Sequence, residues 1–437
     1  MKTNDKPEFE ARLDRRLLTD RGGVRHLLVD VTAPEIAPPE GDDRPPLHLA
    51  LVIDASGSMA GPPLEAAQAA ARGVVEALGP DDRITVVSFA DDMITHIAGE
   101  SASDGGRDKA LHEIGLITPR GCTDLCGGWR TGVELLDGLD LPGAQRRAVI
   151  LSDGHANRGV TDPEQLGLEA AAARDRGVYT TSVGIGDGYS TTQLLALCEN
   201  GGGHLHHAAR PQEIIEVVLG ELGQILTTVA EGVRLRLDLP SGVTAAAVGP
   251  FPTHDGAGGQ VVDVGTFISG ARRRIPIRLH CPPAAVGDRL TVLVTPTWRA
   301  PGDEAEQTGA TLDVGLLYAP VDEVATERPD TAACLEIGRA WQRELIDRAT
   351  AMVEEGDREG ARSFLDEARG DFADYLRDLP GGEEVLAGLD HFRHRLQRSF
   401  SQGLAKEVRC CLRQDSTLVS DLRWSASFCM EDIDKMG

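Results

Sequence analysis

The run His48-Leu49-Ala50-Leu51-Val52-Ile53 ends abruptly in Asp54-Ala55-Ser56-Gly57-Ser58, and an Ala-rich helical pattern follows at once. An apolar stretch of that length reads as a strand buried on both faces, so the junction is strand, turn, helix. Repeated along a chain, such units build a largely parallel sheet covered by helices. Ligands of such sheets bind outside the carboxyl ends of the strands. Here that end carries one carboxylate and two hydroxyls in the spacing D-x-S-x-S. Three oxygen side chains fanned around one point suit a hard cation such as Mg²⁺, with waters completing an octahedron. The same residue types also cap helices, so this motif alone reads first as a helix N-terminus, a role compatible with metal binding.

Two later segments extend the pattern. Arg120-Gly121-Cys122-Thr123-Asp124-Leu125 places a hydroxyl in a loop before a helix expected over 125–139. Ala148-Val149-Ile150-Leu151-Ser152-Asp153-Gly154 is a second buried strand ending in an aspartate and a glycine. D-x-S-x-S, then G-x-T, then an apolar strand with S-D-G, in that order, resembles the von Willebrand factor A (vWA) domain. The resemblance implies a metal-ion-dependent adhesion site. Ser56, Ser58 and Thr123 would be direct or near-direct ligands of Mg²⁺, with Mn²⁺ or Ca²⁺ as alternatives. Asp54 and Asp153 would act through water or hydrogen bonds. Cys122 stands where the family usually has a second glycine, so the loop before Thr123 departs from the pattern.

The chain has 437 residues, enough for two or three domains. Residues 1–46 carry two alternating segments, Phe9-x-Ala11-x-Leu13 and Leu27-x-Val29-x-Val31, joined by a turn at Asp20–Gly23, and then a linker rich in Pro, Asp and Glu from Pro34 to Pro46. The vWA-like region spans 47–230. Its helices are expected at 64–78, 111–117, 125–139, 163–176, 191–199 and 211–228, and its further strands at 83–90 and 178–186, with an antiparallel segment at Ile94–Ile97. From 231 to 320 the apolar period becomes 2, starting with Val233, Leu235, Leu237 and Leu239. A lone amino-terminal hairpin would be marginal. It is therefore expected to join these later strands in one antiparallel β-sandwich, with the vWA-like domain inserted into it. The fold class is α/β: a doubly wound, mostly parallel, Rossmann-like sheet within an antiparallel sandwich. An α-helical region at 321–437 follows, with a helical hairpin turning at Glu354–Ala361. This order resembles a group of bacterial cytoplasmic vWA proteins.

Several other features have simpler readings. Gly184-Ile185-Gly186 is a permissive turn at a strand end, not a nucleotide loop. His204-Leu205-His206-His207 reads as a solvated edge strand, because spacing places no carboxylate or cysteine beside it. His391 and His394 read as an exposed helix face. Cys122 and Cys126 share a spacing of four, but a zinc site would need two more ligands. The tail Asp421–Gly437, with Trp424, Phe428 and Met430, reads as a terminal element packed on the helical region or as a docking segment.

The formal charge of −25 repels phosphate backbones and argues against nucleic acid as a partner. No apolar run reaches membrane-spanning length, and the polar amino terminus lacks a signal core. Eight scattered cysteines form no disulfide-like framework, so the expected location is cytoplasmic. The resemblance implies that the metal captures a carboxylate from a partner protein, in a non-enzymatic adaptor working beside an ATPase, kinase or protease system. Two alternatives are a metal-dependent hydrolase, with His155 or Asp124 as general base, and a scaffold whose metal is only structural.

Overall fold

A computed structural model describes residues 6–36, 44–139, 141–186, 188–256, 259–303, 305–398, 400 and 402–415. The linker residues 37–43 and the tail Asp421–Gly437 lie outside the described residues.

The amino-terminal strands are β1 (Glu8–Leu13), β2 (Leu17–Leu18) and β3 (Gly23–Thr32). The α/β region follows with β4 (Leu47–Asp54), α1 (Pro62–Ala77), β5 (Arg83–Phe89), β6 (Met93–Ser101), α2 (Asp104–Ile114), α3 (Leu125–Asp137), β7 (Gln145–Ser152), α4 (Pro163–Asp175), β8 (Val178–Ile185), α5 (Thr191–Asn200), β9 (Gly202–Ala208) and α6 (Pro211–Leu226). Strand order is β6-β5-β4-β7-β8-β9. Every neighbouring pair is parallel except β5–β6, which is antiparallel as the Ile94–Ile97 pattern predicts. Strand order reverses between β4 and β7, and their carboxyl ends carry the Asp54 and Ser152-Asp153 motifs. That crevice is where such a sheet binds ligands.

β4 shows why the motif is held firmly. All eight of its residues are buried. Leu47, Leu49, Leu51 and Ile53 pack on one side against α1, α2 and α6, while Ala50 and Val52 pack on the other with α3, α4 and α5. The alternation of period 2 thus feeds two cores, and the strand end cannot shift without disturbing both. Helix α2 starts seven residues before the expected Leu111, because Ser101–Ser103 turns the chain directly into it.

The β region adds β10 (Thr228–Asp238), β11 (Thr244–Ala247), β12 (Thr253–Gly256), β13 (Gly259–Ile268), β14 (Arg272–Cys281), β15 (Arg289–Arg299), β16 (Glu306–Thr308) and β17 (Leu312–Tyr318). One sheet runs β1-β3-β14-β11 and the other β12-β13-β10-β15-β17-β2, with β16 on β15. Both face one core that includes Leu27, Val29, Ile275, Leu235, Phe267 and Val292. Amino-terminal β3 pairs along its whole length with β14, and β2 pairs parallel with β17. β10 starts at Thr228, so residues 228–230 lie in the sandwich and not in the α/β region.

The chain leaves the sandwich after β3 and returns before β10, and both crossings meet at one turn. Pro34 O accepts from Gly270 N at 3.0 Å, and Ile36 N donates to Ser269 Oγ at 2.8 Å. On the return side Thr227 O accepts from Ser269 N at 2.8 Å. Turn 269–271 therefore ties the two ends of the inserted segment together.

The carboxyl-terminal helices are α7 (Val321–Thr326), α8 (Thr331–Glu354), α9 (Arg358–Leu376), α10 (Gly382–Arg398) and α11 (Gln402–Asp415). The turn at Glu354–Ala361 separates α8 from α9, with Asp357 capping α9 through Gly360 N at 2.8 Å. This bundle is fastened to the sandwich by Arg274–Glu336 (2.7 Å) and by Ala333 and Ile337 packed on Leu28. Helix α11 reaches the α/β region, where Lys406 Nζ donates to Tyr189 O at 2.6 Å. No helix among the described residues is long and apolar enough to cross a membrane.

Candidate metal centre

Asp54 is the last residue of β4 and is fully buried. Its Oδ1 accepts from Ser56 N at 2.8 Å, which bends the chain back over the strand end in the manner of an Asx turn. Its Oδ2 accepts from Ser152 Oγ at 2.6 Å, so the two central strands are joined at their tips. Beyond Ser56 a single 3-10 turn at Gly57–Met59 presents Ser58. Ser58 Oγ donates to Asp153 Oδ1 at 2.7 Å, and its 3.0 Å contact with Ser56 Oγ is therefore donated by Ser56. The lone pairs left on these hydroxyls are free to accept a cation.

Thr123 comes from the loop before α3. That loop is held by backbone bonds from both neighbouring strands. Arg120 N donates to Ala55 O at 2.6 Å, Gly57 N to Gly121 O at 3.2 Å, and Asp124 N to Ala90 O at 3.0 Å. Gly121 has φ +47°, and a Cβ there would collide with the Asp91 carboxylate at 2.3 Å. Asp91 in turn accepts from Cys122 N at 2.9 Å and pairs with Arg158 at 3.2 Å. The Cys122 N–H and the Arg158 charge hold its carboxyl below the usual range. Cys122 itself is exposed, so the departure from glycine is accommodated by a side chain pointing to solvent. Asn157 Oδ1 accepts from Thr123 N at 3.0 Å, and Asn157 N donates back to Thr123 O at 3.1 Å.

Gly154 marks the point where these oxygens converge. A Cβ on Gly154 would lie 3.4 Å from Thr123 Oγ1, 3.8 Å from Ser58 Oγ and 3.9 Å from Asp54 Oδ2. The five residues Asp54, Ser56, Ser58, Thr123 and Asp153 thus surround one small cradle. Burial pushes the carboxyls of both Asp54 and Asp153 up, against the hydrogen bonds that each accepts. Among the described residues neither forms an ion pair with an arginine or lysine. Two desolvated acids and three hydroxyls without a protein counter-charge fit a hard divalent cation.

The neighbouring residues divide differently. Asp124 caps α3, its Oδ1 accepting from Gly127 N at 2.9 Å, so this carboxylate serves the helix. His155 is exposed, and burial of its ring edge with the Lys406 charge lowers its pKa. Gly186 takes φ +60° in the turn after β8, and Gly184 leaves room for the Tyr189 ring. His391 and His394 are exposed on α10. Cys122 and Cys126 diverge, with Cys126 buried against Glu169. One reading is overturned. β9 is an edge strand, but it is not solvated: His206 is buried, and Glu221 of α6 meets it at 2.8 Å. A separation of fifteen positions along the chain hid that carboxylate from a spacing argument. Asn157 and Asp91, which brace the Thr123 loop, carry no sequence signal beyond being polar residues near strand ends.

Comparison with known proteins points to the same fold. Residues 48–218 match the family described as von Willebrand factor type A domain. The Synechocystis protein sll0103 is 24% identical over 346 residues, covering 75% of this chain and 79% of that protein. YfbK of Escherichia coli (strain K12) is 26% identical over 221 residues, which is 50% of this chain but only 38% of YfbK. Among solved structures, a von Willebrand factor type A protein from Catenulispora acidiphila aligns with a TM-score of 0.70 at 18% identity, covering 94% of this chain and 96% of that one. Residues 48–218 are thus a von Willebrand factor type A domain, set in a chain that is similar to bacterial proteins.

Proposed function

We propose that this protein is a non-enzymatic adaptor that recognises a protein partner through a Mg²⁺-dependent adhesion site at Asp54, Ser56, Ser58, Thr123 and Asp153. Domains of this family commonly mediate protein–protein interaction. The observation that carries the finer reading is the cradle in front of Gly154, where three hydroxyls meet the buried Asp54 and the half-buried Asp153, neither paired with an arginine or lysine among the described residues. A bound divalent ion would supply an open position for an anionic oxygen, such as a partner's carboxylate.

The chain's own residues prepare that position. Asp54 fixes the backbone of Ser56 by accepting from its N–H, and Asp153 accepts from the Ser58 hydroxyl, so both serines are held at the strand end. Ser58 is exposed at the rim, which leaves the site open to a large partner. The use of Asp124 as a helix cap supports binding without turnover over hydrolysis, since a general base must face the reacting water. A cytoplasmic location is part of the proposal, and the six free thiols among the described cysteines support it. Component partners of an ATPase, kinase or protease system fit the same reading.

Affinity capture with the full chain tests it. Partners should bind in Mg²⁺, release in chelator, and fail to bind the Thr123→Ala variant. Capture that ignores both chelator and Thr123→Ala would refute metal-bridged recognition.

A further inference from the structure

His204 and His206 are two residues apart on β9, so their side chains leave the same face of the sheet. Helix α6 crosses that face and brings Glu221 to them. His206 Nε2 lies 2.8 Å from Glu221 Oε2, and one ligand atom from each of the three residues falls within 4.8 Å of the others. Thr181 Oγ1, from the adjacent strand β8, donates to Glu221 Oε1 at 2.7 Å. The group lies on the edge strand β9, two strands away from β7, and it is built from imidazoles where the cradle is built from hydroxyls.

We propose that His204, His206 and Glu221 form a second cation site, selective for Zn²⁺ or another borderline transition ion. Two histidines and one carboxylate are a known three-ligand set for zinc, leaving the fourth position open. Imidazole ligands favour such ions over Mg²⁺, so the two sites differ in what they take. Zinc ligands at about 2.0–2.1 Å lie roughly 3–3.5 Å from one another, so the present cluster needs only side-chain adjustment. Thr181 supplies the outer hydrogen bond that aims the carboxylate.

Two guanidinium groups are close. Arg147 is paired with Glu231, whereas Arg273 donates to the Val264 and Thr266 carbonyls and lies over the Phe267 ring. Their charge weakens cation binding and favours an anion in the fourth position. His204 also lines the cleft between β9 and the sandwich, beside Arg273 and Asp263, and this cleft is the route to that position.

The test uses the full chain carrying Ser56→Ala and Ser58→Ala, which removes the hydroxyl site from the count. Calorimetric titration with Zn²⁺ should give one ion per chain, and Co²⁺ should show the intense visible absorption of a tetrahedral site. Excess Mg²⁺ should not compete. Adding His204→Asn should lower Zn²⁺ affinity at least about tenfold and abolish the Co²⁺ band. His204 lies outside the His206–Glu221 hydrogen bond, so this variant keeps the buried pair, and an unchanged far-ultraviolet spectrum checks its fold. No Zn²⁺ bound by the double variant, or equal affinity after His204→Asn, would overturn the site. Failure of Mg²⁺ binding at the cradle leaves this result untouched, so the two assignments stand or fall separately.

Discussion

Ser58 Oγ donates to Asp153 Oδ1 over 2.7 Å, so a loop after β4 is fastened to the tip of β7 across the crevice of the sheet. The bond orients a ligand hydroxyl and satisfies a carboxylate that burial would otherwise penalise. Neither residue is part of a core, so what the pair organises is the site and not the fold.

Ser56→Ala with Ser58→Ala should remove two oxygens from the cradle. Mg²⁺ affinity is expected to fall by more than the roughly 10–100-fold typical of losing an outer partner. Thermal stability of the metal-free chain should change little, because the lost side-chain hydrogen bonds lie at the strand ends and the backbone bond from Ser56 N to Asp54 is kept. Isothermal calorimetry reads the first effect and melting the second. Unchanged Mg²⁺ affinity would remove these serines from the site.

Gly154→Val tests the cradle from the opposite side. The new side chain would start 3.4 Å from Thr123 Oγ1 and extend among the ligand oxygens. Mg²⁺ affinity should fall about tenfold or more by obstruction, with all five ligand residues intact. Wild-type affinity in this variant would mean that the ion does not sit in front of Gly154.

Much of this was legible from the chain. β4, β7 and the Asp54–Ser58 turn are local: an apolar run, a strand end and polar residues in fixed spacing. The composite sandwich was readable because β1, β3 and β10 share period 2, although only pairing could reveal that β3 lies between β1 and β14. Short strands such as β11 and β16 have too few residues to show a period. Helix α11 is apolar on one narrow stripe, and its docking depends on a distant residue, Tyr189. The Glu221 partner of His206 was invisible for the same reason: it is a contact between a strand and a helix, and no spacing rule connects them.

His48 gives the chain an acid-sensitive point on the central strand. It is fully buried, its Nε2 lies 3.0 Å from Thr85 Oγ1, and burial with the nearby Arg146 and Arg83 lowers its pKa to about 4. The unfolded chain takes up a proton near pH 6.5, whereas the folded chain resists until about pH 4. Stability is therefore present above pH about 6.5 and is lost as pH falls toward about 4, by about 3 kcal/mol for this group. His48→Gln should flatten that part of the profile. Urea unfolding at several pH values measures it, and an equal slope in both proteins would refute the assignment.

Arg147 and Glu231 form a buried ion pair between β7 and β10, linking the α/β sheet to the sandwich. Arg147 also lies 4.5 Å from the centre of the Tyr179 ring. Glu231→Gln leaves a buried guanidinium without its counter-charge and should cost about 3–5 kcal/mol. Replacing both, with Arg147→Met and Glu231→Leu, should recover most of that loss, because no charge then remains to be compensated. Denaturant midpoints of the single and double variants decide it. A double variant as unstable as Glu231→Gln would show that the pair acts through more than its charges.

Strand β3 makes the sandwich depend on residues that precede the vWA domain by sequence. It pairs with β14 from Arg272↔Thr32 to Cys281↔Gly23, and its Leu27, Val29 and Val31 are fully buried in the shared core. Residues 231–320 by themselves lack that strand, so β14 would keep one open edge and the core would lose three large apolar side chains. Each such side chain contributes about 1.5–3 kcal/mol when buried, comparable with a large part of a small domain's stability. The isolated 231–320 segment should therefore show no cooperative unfolding, and a peptide of residues 6–36 added in trans should restore a transition. In the full chain, Leu27→Ala should cost about 2–5 kcal/mol through the cavity it leaves. Cooperative unfolding of 231–320 without the peptide would show that β3 is an accessory to the sandwich and not one of its central strands.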